Sequence, residues 1–481
     1  MNFLRLIYTD NSVERMISLC RIIIRIIRYE GMRSLYERTK SFIYHINREM
    51  TKSFKREPIP IRKSIIERGN NRRVSVIIPT KNAGLEFEKT IVNIQKQRGY
   101  LDIEIIVIDS GSQDDTPKLA EKYSSKVYRI LPEQFNHGLT RNLGAEKASG
   151  EYIVFIVQDA IPLNNDWLKS MVNVLDHDPN IEAVTCKQFV REDADLFARF
   201  MNHYQYVSLE LRSDEVRYVG NSSEYCVLSP GDKRRISQLD NVCTCFRKEF
   251  FQRYQFKEVK YAEDLEIGAR IAMDGHKLAF LNSNGVIHSH NRSSVHFLKR
   301  GYMDQRLAPK FLVYDPPDPI LPKGLTIQDI LFNMNELYFQ VGKNIREMNL
   351  SRNIRNSFFY SPLFMPKVKR GDSDGKRYVD EEMDNFLEEF QHTAGWNGRC
   401  ILRKDSNIFM DGYVLSLKRF IRYVSHYPIG EKNRAELERG LLKLLGYWFG
   451  NYLGEIMTAA EIKRNELIYR ENIDRFLSAG L

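Results

Sequence analysis

From Val74 onward, short apolar runs alternate with amphipathic stretches of helical periodicity. The first run, VSVIIP, starts at Val74 and precedes a helical stretch from Leu85 to Arg98. The runs IEIIVID and YIVFIV follow, separated by further helical stretches. Apolar runs of this length are typical of buried strands. Strands that alternate with helices predict an α/β domain with a mostly parallel sheet.

Polar residues lie at the ends of three of these predicted strands. Asp109 and Asp159 each end or closely follow an apolar run, and the turn Pro79-Thr80-Lys81-Asn82 ends the first run. In an open α/β sheet, ligands bind at the carboxyl ends of the strands. We therefore expect these residues to line one polar crevice.

The later part of the chain continues this pattern and then becomes helical. The segment around Cys243 is apolar, YAEDLEIGARIAMDGH predicts a helix that Gly275 stops, and LAFLN and GVIHSH predict two short strands. Beyond about Gly301 the pattern is mainly helical, with a long helix over RAELERGLLKLLGYWFGNYLGEIM. We predict three parts, which are a leader and linker over residues 1–73, an α/β domain over 74–300 and a mainly helical C-terminal region over 301–481.

The excess positive charge is concentrated at the N-terminus. Residues 1–73 contain 17 Lys and Arg and 7 Asp and Glu, a surplus equal to the net charge of +10 of the whole chain. The balanced remainder argues against a nucleic-acid-binding core, so no nucleic acid partner is expected. In the leader, arginines oppose an isoleucine-rich stripe. This pattern suits a helix lying on an anionic membrane surface and equally a helix packed on the protein body.

Several classes of protein are excluded by the absence of a pattern. Arginines interrupt every apolar run near the N-terminus, so neither a signal peptide nor a transmembrane helix is predicted. The six cysteines are then expected to be reduced thiols of a cytosolic protein. The pair Cys243-x-Cys245 is by itself weak evidence for a metal site. The loops GxxxxGK(S/T) and GxGxxG are absent, which excludes a P-loop ATPase and the usual dinucleotide-binding domain.

Six stretches between Val74 and Ser293 resemble the family 2 glycosyltransferases of the GT-A fold, most closely their bacterial rhamnosyltransferase-like branch. They follow the family's order and spacing and are VSVIIPTKNAG, VIDSGSQDDT, FNHGLTRNLGAEKASGEYIVFIVQDA, DNVCTCFRK, YAEDLEIGARIAMDGHKLAF and VIHSHNRS. The resemblance implies a GT-A α/β domain, here between the N-terminal basic amphipathic helices and the C-terminal helical region. It also implies a nucleotide-diphosphate sugar donor and a divalent metal, Mg²⁺ or Mn²⁺, which neutralises the departing phosphates.

By the same resemblance, the metal ligand is the carboxylate that closes the family's D-x-D motif. Here the motif is Val157-Gln158-Asp159, so only the last acid is present, as in the rhamnosyltransferase-like branch. The alternative for Asp159 is a capping role before the following turn. One carboxylate holds a divalent ion weakly, so further ligands are expected. His288 and His290 lie two apart on a predicted strand and can face one site, although the sequence does not say which of them binds.

The resemblance implies the donor-binding residues as well, which are Pro79, Thr80, Asn82, Asp109, Arg141 and Gln158. Asp109 is expected to accept hydrogen bonds from the nucleoside. The permanently charged fork of Arg141 is expected to face the nucleotide or its phosphates. The alternative for Arg141 is a surface position on a helix. His137, in FNHG, matches the branch without a specific role.

The catalytic base is expected in the pair Glu263-Asp264, which aligns with the family's E-D motif. In the family the aspartate takes the acceptor proton, and like-charge proximity to Glu263 is compatible with a raised pKa of Asp264. The alternative is favourable charge near a helix N-terminus. Asp114 and Asp115 are expected to cap a helix rather than to catalyse.

The resulting hypothesis is an inverting glycosyltransferase, peripheral on the cytoplasmic face of a bacterial plasma membrane, that extends a lipid-linked oligosaccharide. dTDP-rhamnose is the leading donor by resemblance, and UDP-sugars stay open. A catalytically silent sugar-nucleotide- or glycan-binding scaffold is the alternative, favoured by the missing acid. A nucleotidyltransferase is disfavoured because PTKNAG is poor in glycine. In the C-terminal region, Trp396, Tyr447 and Trp448 could stack on sugars, although aromatic residues at helical spacing are more often core.

Overall fold

The structure is a computed structural model. It describes residues 59–60, 72–99, 101–123, 126–315, 434–462 and 470–479, together with short helical pieces between 382 and 424. The predicted amphipathic leader lies outside the described residues, and the division into three domains stays a prediction. The sheet and helices described below belong to one compact unit, Ile59–Cys226 and Pro230–Leu481.

The described strands form one mixed sheet. They are β1 (Ile59–Pro60), β2 (Arg72–Thr80), β3 (Leu101–Asp109), β4 (Lys126–Arg129), β5 (Tyr152–Ile156), β6 (Ile161–Pro162), β7 (Ile181–Phe189), β8 (Glu215–Arg217), β9 (Cys243–Arg247) and β10 (Lys277–Ile287). Their order across the sheet is β1-β8-β10-β7-β9-β5-β2-β3-β4, and β6 pairs with β10.

The described helices alternate with the strands along the chain, and the last three follow the final strand. They are α1 (Gly84–Gln95), α2 (Thr116–Lys122), α3 (His137–Lys147), α4 (Trp167–His177), α5 (Leu196–Ser208), α6 (Ser222–Cys226), α7 (Pro230–Ile236), α8 (Lys248–Tyr254), α9 (Glu263–Met273), α10 (Ser294–Phe311), α11 (Arg434–Ile462) and α12 (Arg470–Ser478). The predicted fold class, an α/β domain of the GT-A type followed by a helical C-terminal region, is confirmed. Among the described residues, no helix is both long and apolar enough to span a bilayer.

Alternate residues of the central strands face two separate cores. Ile105 and Val107 of β3 belong to the apolar cluster beside α1 and α4. Ile106 and Ile108 belong to the cluster beside α3, α8 and α9. Because both faces of the sheet are covered, its strands are continuous apolar runs in the sequence rather than alternating ones.

The expectation of a mostly parallel sheet is correct only in part. Strands β5, β2, β3 and β4 pair in parallel, and so do β7 and β10. Strand β9, however, lies between β5 and β7 and is antiparallel to both. Ile156, at the end of β5, is therefore paired with Cys243, at the beginning of β9. The residues that precede β9, and not those that follow it, lie at the ligand-binding edge.

The two short strands predicted around LAFLN and GVIHSH are one strand, β10, with a register shift between Leu281 and Gly285. The Asp214 carboxylate holds this irregularity, because its Oδ1 accepts the backbone N–H groups of Asn282 and Ser283 at 2.8 and 2.7 Å. Pairing with β7 then continues to Ile287. The chain leaves β10 at the same edge at which β5 ends.

Helices α10 and α11 pack so closely that glycines of α11 contact the backbone of α10. An added Cβ at Gly450 of α11 would lie 1.9 Å from the carbonyl oxygen of Leu298, and one at Gly454 would lie 2.5 Å from that of Tyr302. No larger residue fits at these positions without moving a helix. The predicted boundary after residue 300 falls inside α10.

Candidate active site

The carboxyl ends of β2 and β3 form the first wall of a polar crevice. Thr80 is the register partner of Asp109, and their exposed fractions are only 2% and 1%. The Thr80 hydroxyl lies 3.5 Å from Asp109 Oδ1, and the backbone N–H of Ser112 donates to Asp109 Oδ2 at 3.1 Å. Pro79 precedes them in β2 and is half-buried. The structure thus brings together these predicted donor-binding residues.

Asn82 joins the loops that follow β2 and β3. Its backbone is left-handed, with φ +47°, a conformation that Asn tolerates better than most residues. Its N–H donates to the Ser112 hydroxyl at 2.8 Å, and its Oδ1 accepts the backbone N–H of Gln113 at 2.8 Å. Asn82 therefore shapes the loop around Asp109.

Gln158 joins the ends of β5 and β2 in a similar way. The backbone N–H of Lys81 donates to Gln158 Oε1 at 2.8 Å, and Gln158 Nε2 donates to the carbonyl oxygen of Lys81 at 3.3 Å. A carboxylate could not make the second bond, because it has no donor. Val157, at the position of the missing first acid, packs against the core beside α1 and α4.

Asp114 fulfils the capping role that was expected near α2. Its Oδ1 accepts the backbone N–H of Thr116 at 3.0 Å, and its Oδ2 accepts that of Gly84 at 3.1 Å. Asp115 instead pairs with Lys118 at 2.7 Å. Pro117 occupies the first turn, where its missing N–H is tolerated. Neither acid takes part in the crevice chemistry described below.

Asp159, His288 and His290 converge where β5 and β10 end. His290 Nε2 lies 3.3 Å from Asp159 Oδ2, and His288 Nε2 lies 3.7 Å from Asp159 Oδ1. The two Nε2 atoms are 3.1 Å apart. Within the described ranges, this is the one group of three His, Cys, Asp or Glu side chains whose ligand atoms all lie within 4.8 Å of one another. Its donor set fits a divalent ion.

Both imidazoles are kept neutral by their surroundings. Burial lowers the pKa of His288 to about 4 and also lowers the pKa of His290, in each case against the opposing influence of Asp159. A neutral imidazole retains a nitrogen lone pair, which is what a metal ion needs. The Asp159 carboxylate supplies the negative charge of the group.

Gln188, at the end of β7, orients His288. The ring Nδ1 of His288 lies 2.8 Å from Gln188 Oε1. Because an amide oxygen only accepts, this contact places the imidazole proton on Nδ1 and leaves the lone pair on Nε2. Gln188 Nε2 in turn donates to Asp240 Oδ2. Asp240 precedes β9, so the antiparallel direction of that strand brings it to the site.

The pair Glu263-Asp264 begins α9 directly after a strained residue. Ala262 has φ +59°, in the left-handed region that non-glycine residues rarely adopt. Glu263 lies inside the protein, where its Oε1 is 3.1 Å from Arg141 Nη1 and accepts Asn241 Nδ2 at 2.9 Å. Burial opposes ionisation of Glu263, yet Arg141 and Asn241 hold its pKa below the usual value.

Asp264 has the opposite electrostatic setting. Burial, together with the neighbouring carboxylates of Glu263 and Asp240, raises its pKa to about 7 against the opposing influence of Arg234. Its carboxylate accepts the backbone N–H of Leu265 at 2.7 Å. A carboxyl group with this pKa exchanges protons near neutral pH.

Arg141 is buried, so it does not occupy the surface position on a helix that was its alternative. Its guanidinium is bound by Glu263, by the carbonyl oxygen of His137 at 2.8 Å and by that of Asn241 at 3.4 Å. A role of Arg141 toward the donor stays a prediction. What the geometry shows is an arginine that holds the acid next to Asp264.

The rest of the motif FNHGLTRNLG holds the segment that leads to Glu263. Asn136 caps α3 by accepting the N–H groups of Gly138 and Leu139, while its Nδ2 donates to the carbonyl oxygen of Val259 at 3.0 Å. Asn142 exchanges two hydrogen bonds with the backbone of Phe256, at 2.8 and 3.0 Å. The motif therefore positions the acid pair.

Sequence reasoning missed Ser112, Gln188, Asp240 and Asn241. Ser112 and the pair Asp240-Asn241 lie inside stretches that carry the family resemblance, so a signal existed for them. Gln188 lies outside those stretches, and its partners are 52 and 100 residues away. Cys243 and Cys245 are buried in the apolar core, and Cys243 Sγ contacts Met171 Sδ at 3.6 Å.

Comparison with known proteins agrees with this geometry. Residues 75–227 match the family described as Glycosyl transferase family 2. The O-antigen chain rhamnosyltransferase RfbN of Salmonella typhimurium is 32% identical over 231 residues, which are 46% of this chain and 67% of that protein. The chain belongs to glycosyltransferase family 2. A second family member, the O-antigen chain rhamnosyltransferase WbaN of Salmonella anatum, is 30% identical over 223 residues, 45% of this chain and 66% of its own length.

Solved structures of glycosyltransferases align less closely with this family 2 enzyme. The mannosyltransferase PcManGT from Pyrobaculum calidifontis, in complex with GDP-Man and Mn²⁺, aligns with 84% of this chain and 94% of its own at 17% identity and a TM-score of 0.40. This similarity is too loose to assign a donor or a metal.

Proposed function

We propose that this family 2 glycosyltransferase moves a sugar, with inversion, from a nucleotide-diphosphate donor to a hydroxyl group of a growing bacterial surface glycan. One observation carries the proposal. The group Asp159, His288 and His290 is linked by hydrogen bonds through Gln188 to Asp240. The Asp240 carboxylate in turn acts electrostatically on a second carboxyl group, Asp264, whose pKa is raised to about 7. The first suits a divalent ion and the second suits proton transfer, and sugar transfer from a diphosphate donor requires both.

On the donor side, the buried carboxylate of Asp109 accepts hydrogen bonds from the nucleoside. Thr80 and Asn82 fix the loops around it, and Pro79 and Gln158 border the same pocket. Since the guanidinium of Arg141 is occupied by Glu263, its part in the reaction is to position the acid pair.

Asp159, His288 and His290 would hold the divalent metal. Two nitrogen ligands favour Mn²⁺ over Mg²⁺, which prefers an all-oxygen set. When bound, the ion neutralises the charge that develops on the departing diphosphate. Gln188 keeps His288 in the tautomer that this requires.

Asp264 takes the proton of the attacking hydroxyl. The acceptor oxygen bonds to the anomeric carbon while the bond from that carbon to the diphosphate oxygen breaks, and the electron pair leaves with the nucleoside diphosphate. Attack from the side opposite the leaving group inverts the anomeric centre, so no glycosyl-enzyme intermediate forms. Glu263, held ionised by Arg141, keeps Asp264 basic.

The names of the relatives support L-rhamnose, from dTDP-rhamnose, as the sugar and an O-antigen chain as the product. UDP-sugars are the alternative donors. The acceptor is then a lipid-linked oligosaccharide, which places the enzyme in the cytoplasm at the inner face of the plasma membrane. The basic leader, residues 1–73, would contact the anionic membrane surface.

The test is nucleotide release from dTDP-, UDP- and GDP-sugars with Mg²⁺, Mn²⁺ or EDTA. We expect slow hydrolysis of one donor by the full chain, faster with Mn²⁺ and abolished by EDTA and by Asp159→Ala. Asp115→Ala, an exposed acid outside the crevice, is the matched control and keeps wild-type turnover. Donor binding without turnover, even with lipid-linked acceptors added, would favour the catalytically silent scaffold. Failure to bind any sugar nucleotide would overturn both.

A further inference from the structure

One face of helix α10 carries polar side chains beside the proposed base. Arg300 and Asp304 are four residues apart, so they lie on the same face of the helix. The Asp304 carboxylate accepts hydrogen bonds from two phenols. The Tyr261 hydroxyl donates to its Oδ1 at 3.4 Å, and the Tyr447 hydroxyl donates to its Oδ2 at 3.4 Å. Tyr447 belongs to α11, so this group joins the α/β domain to the C-terminal region.

The guanidinium of Arg300 lies among these acidic groups. Tyr261, Asp304, Tyr447 and Asp240 all favour its charge, so the pKa of Arg300 is raised although desolvation opposes this. Within the described part of the chain, Arg300 makes no hydrogen bond or ion pair, and the residue is accessible to solvent although its guanidinium is partly desolvated by its neighbours. An arginine that is surrounded by acids but bonded to none of them has its fork of donors available to a ligand.

This group lies next to Asp264. Tyr261 precedes Asp264 by three residues, and the Asp264 carboxylate raises the pKa of the Tyr261 phenol, as burial and Asp304 also do. Asp240 lies between this group and the proposed base, since its carboxylate both favours the charge of Arg300 and raises the pKa of Asp264. A ligand held by Arg300 and Asp304 would therefore reach the proposed base.

We propose that Tyr261, Arg300, Asp304 and Tyr447 form the acceptor subsite and bind the sugar ring whose hydroxyl is glycosylated. This inference rests on the proposed function. Guanidinium and carboxylate groups can together bind neighbouring hydroxyls of one ring, and phenol rings cover its apolar face.

The charges of the cleft define the ligand as a neutral sugar. Arg234 acts on three carboxyl groups, those of Asp240, Asp264 and Asp304, and Arg300 acts on Asp240 and Asp304. Burial already raises the pKa of each of these three acids, so a further negative charge is disfavoured. An acidic sugar or a phosphate would add such a charge.

The close packing of α11 on α10 explains how Tyr447 is held in place. Gly446 and Gly450 flank Tyr447 on α11, and an added Cβ would lie 2.7 Å from the carbonyl oxygen of Ser294 and 1.9 Å from that of Leu298, respectively. The helix position is thus fixed at the backbone on both sides of the phenol. In this arrangement the C-terminal region supplies part of the acceptor subsite.

The experiment uses the full-length protein and p-nitrophenyl glycosides as acceptor probes, namely the rhamnoside, mannoside, galactoside and glucuronide. Saturation-transfer NMR of the ring protons measures binding, and nucleotide release measures transfer. We expect the neutral glycosides to bind and the glucuronide to bind more weakly. Arg300→Lys should weaken neutral binding about tenfold and Tyr447→Phe about threefold, with the donor KM unchanged. Tyr452→Phe, five residues further along α11, is the matched control and should bind as the wild type does.

Each outcome separates this inference from the proposed function. Stronger binding of the glucuronide, wild-type binding by both variants, or no binding of any glycoside at millimolar concentration overturns the subsite. If nucleotide is released while both variants bind normally, the subsite is wrong and the function stands. If binding follows the expected order but no nucleotide is released from any donor, the subsite stands and the transferase function is wrong.

Discussion

The two sides of the cleft hold their polar groups in different ways. On the donor side, Asn82, Ser112 and Gln158 tie neighbouring loops together through hydrogen bonds between side chain and backbone. On the base side, Glu263 and Asp264 follow a strained Ala262. Burial and like charge raise the pKa of Asp264, whereas Arg141 and Asn241 lower that of Glu263.

This difference shows how each side is suited to its task. Satisfied hydrogen bonds keep the donor loops in place before a ligand arrives, which limits the entropy lost on binding. Unfavourable burial and repulsion make Asp264 a stronger base than an exposed carboxylate. We therefore expect substitutions on the base side to act on the chemical step, and substitutions on the donor side to act on affinity.

The largest effect should come from Asp264→Asn, which removes the base while keeping the shape of the side chain. Turnover should fall about a thousandfold with donor affinity unchanged, because general base catalysis contributes on this order. Rates of nucleotide release and donor titration measure the two quantities. Asp274→Asn, at the other end of α9 and exposed, is the control and should be active. Equal loss of donor affinity would mean that Asp264 belongs to the donor side.

Glu263→Gln should leave the charge of Arg141 buried without its partner, since their side chains are only 10% and 4% exposed. Breaking such a pair should lower the free energy of unfolding by about 3 kcal/mol. It should also lower the pKa of Asp264 and move the acid limb of the activity profile to lower pH. Urea unfolding and the pH dependence of kcat/KM measure these effects.

The control for that substitution is Glu249→Gln, which removes an exposed pair with Arg253. It should change the free energy of unfolding by less than about 1 kcal/mol. An acid limb that stays in place in Glu263→Gln would show that Glu263 does not influence the base.

Gln188→Met tests the link between the two sides, because Gln188 contacts both His288 and Asp240. Loss of the bond to Nδ1 frees the imidazole tautomer and should weaken Mn²⁺ binding about tenfold to thirtyfold. Mn²⁺ titration followed by electron paramagnetic resonance measures this affinity. Gln95→Met, on the exposed end of α1, should bind Mn²⁺ normally. Unchanged binding in both variants would remove Gln188 from the metal site.

The wild-type enzyme should lose activity as the pH falls below neutrality. The pKa of Asp264 is raised to about 7, so the group is protonated, and unable to accept the acceptor proton, below that pH. kcat/KM should therefore fall about tenfold per pH unit below neutrality. The residual activity of Asp264→Asn should lack this limb. A wild-type limb near pH 4 would instead indicate an unperturbed carboxylate.

The donor side could be predicted from the sequence, and much of the base side could not. Thr80, Asp109 and Asp159 end or closely follow apolar strands, and the rule that ligands bind at strand ends located them together. Asp240 precedes its strand, and no local pattern shows that β9 is antiparallel to β5. Its place at the site depends on sheet order, which is set by packing over the whole domain.

Arg141 illustrates the same limit. Its motif predicts a residue facing the donor, which stays a prediction, and no local pattern shows the contact that its guanidinium makes with Glu263, 122 residues away. A guanidinium fits a phosphate and a buried carboxylate equally well, so the residue type alone could not decide between them. The i, i+2 spacing predicted that His288 and His290 would face one site. In the structure both follow the end of β10 and their Nε2 atoms lie 3.1 Å apart, while their role as metal ligands stays a prediction.

The smallest effect should come from Gln158→Glu on the donor side. The glutamate keeps the acceptor for the N–H of Lys81 but loses the donor to its carbonyl oxygen. One lost hydrogen bond of about 1 kcal/mol corresponds to about fivefold weaker donor binding, with turnover at saturating donor unchanged. Gln158→Met, which loses both bonds, should be weaker still, and the order of the two variants is the internal control. If Gln158→Glu instead binds donor and Mn²⁺ more tightly than the wild type, an acid at this position contacts the ion. The contrast between a donor side held by hydrogen bonds and a base side tuned by charge would then not hold.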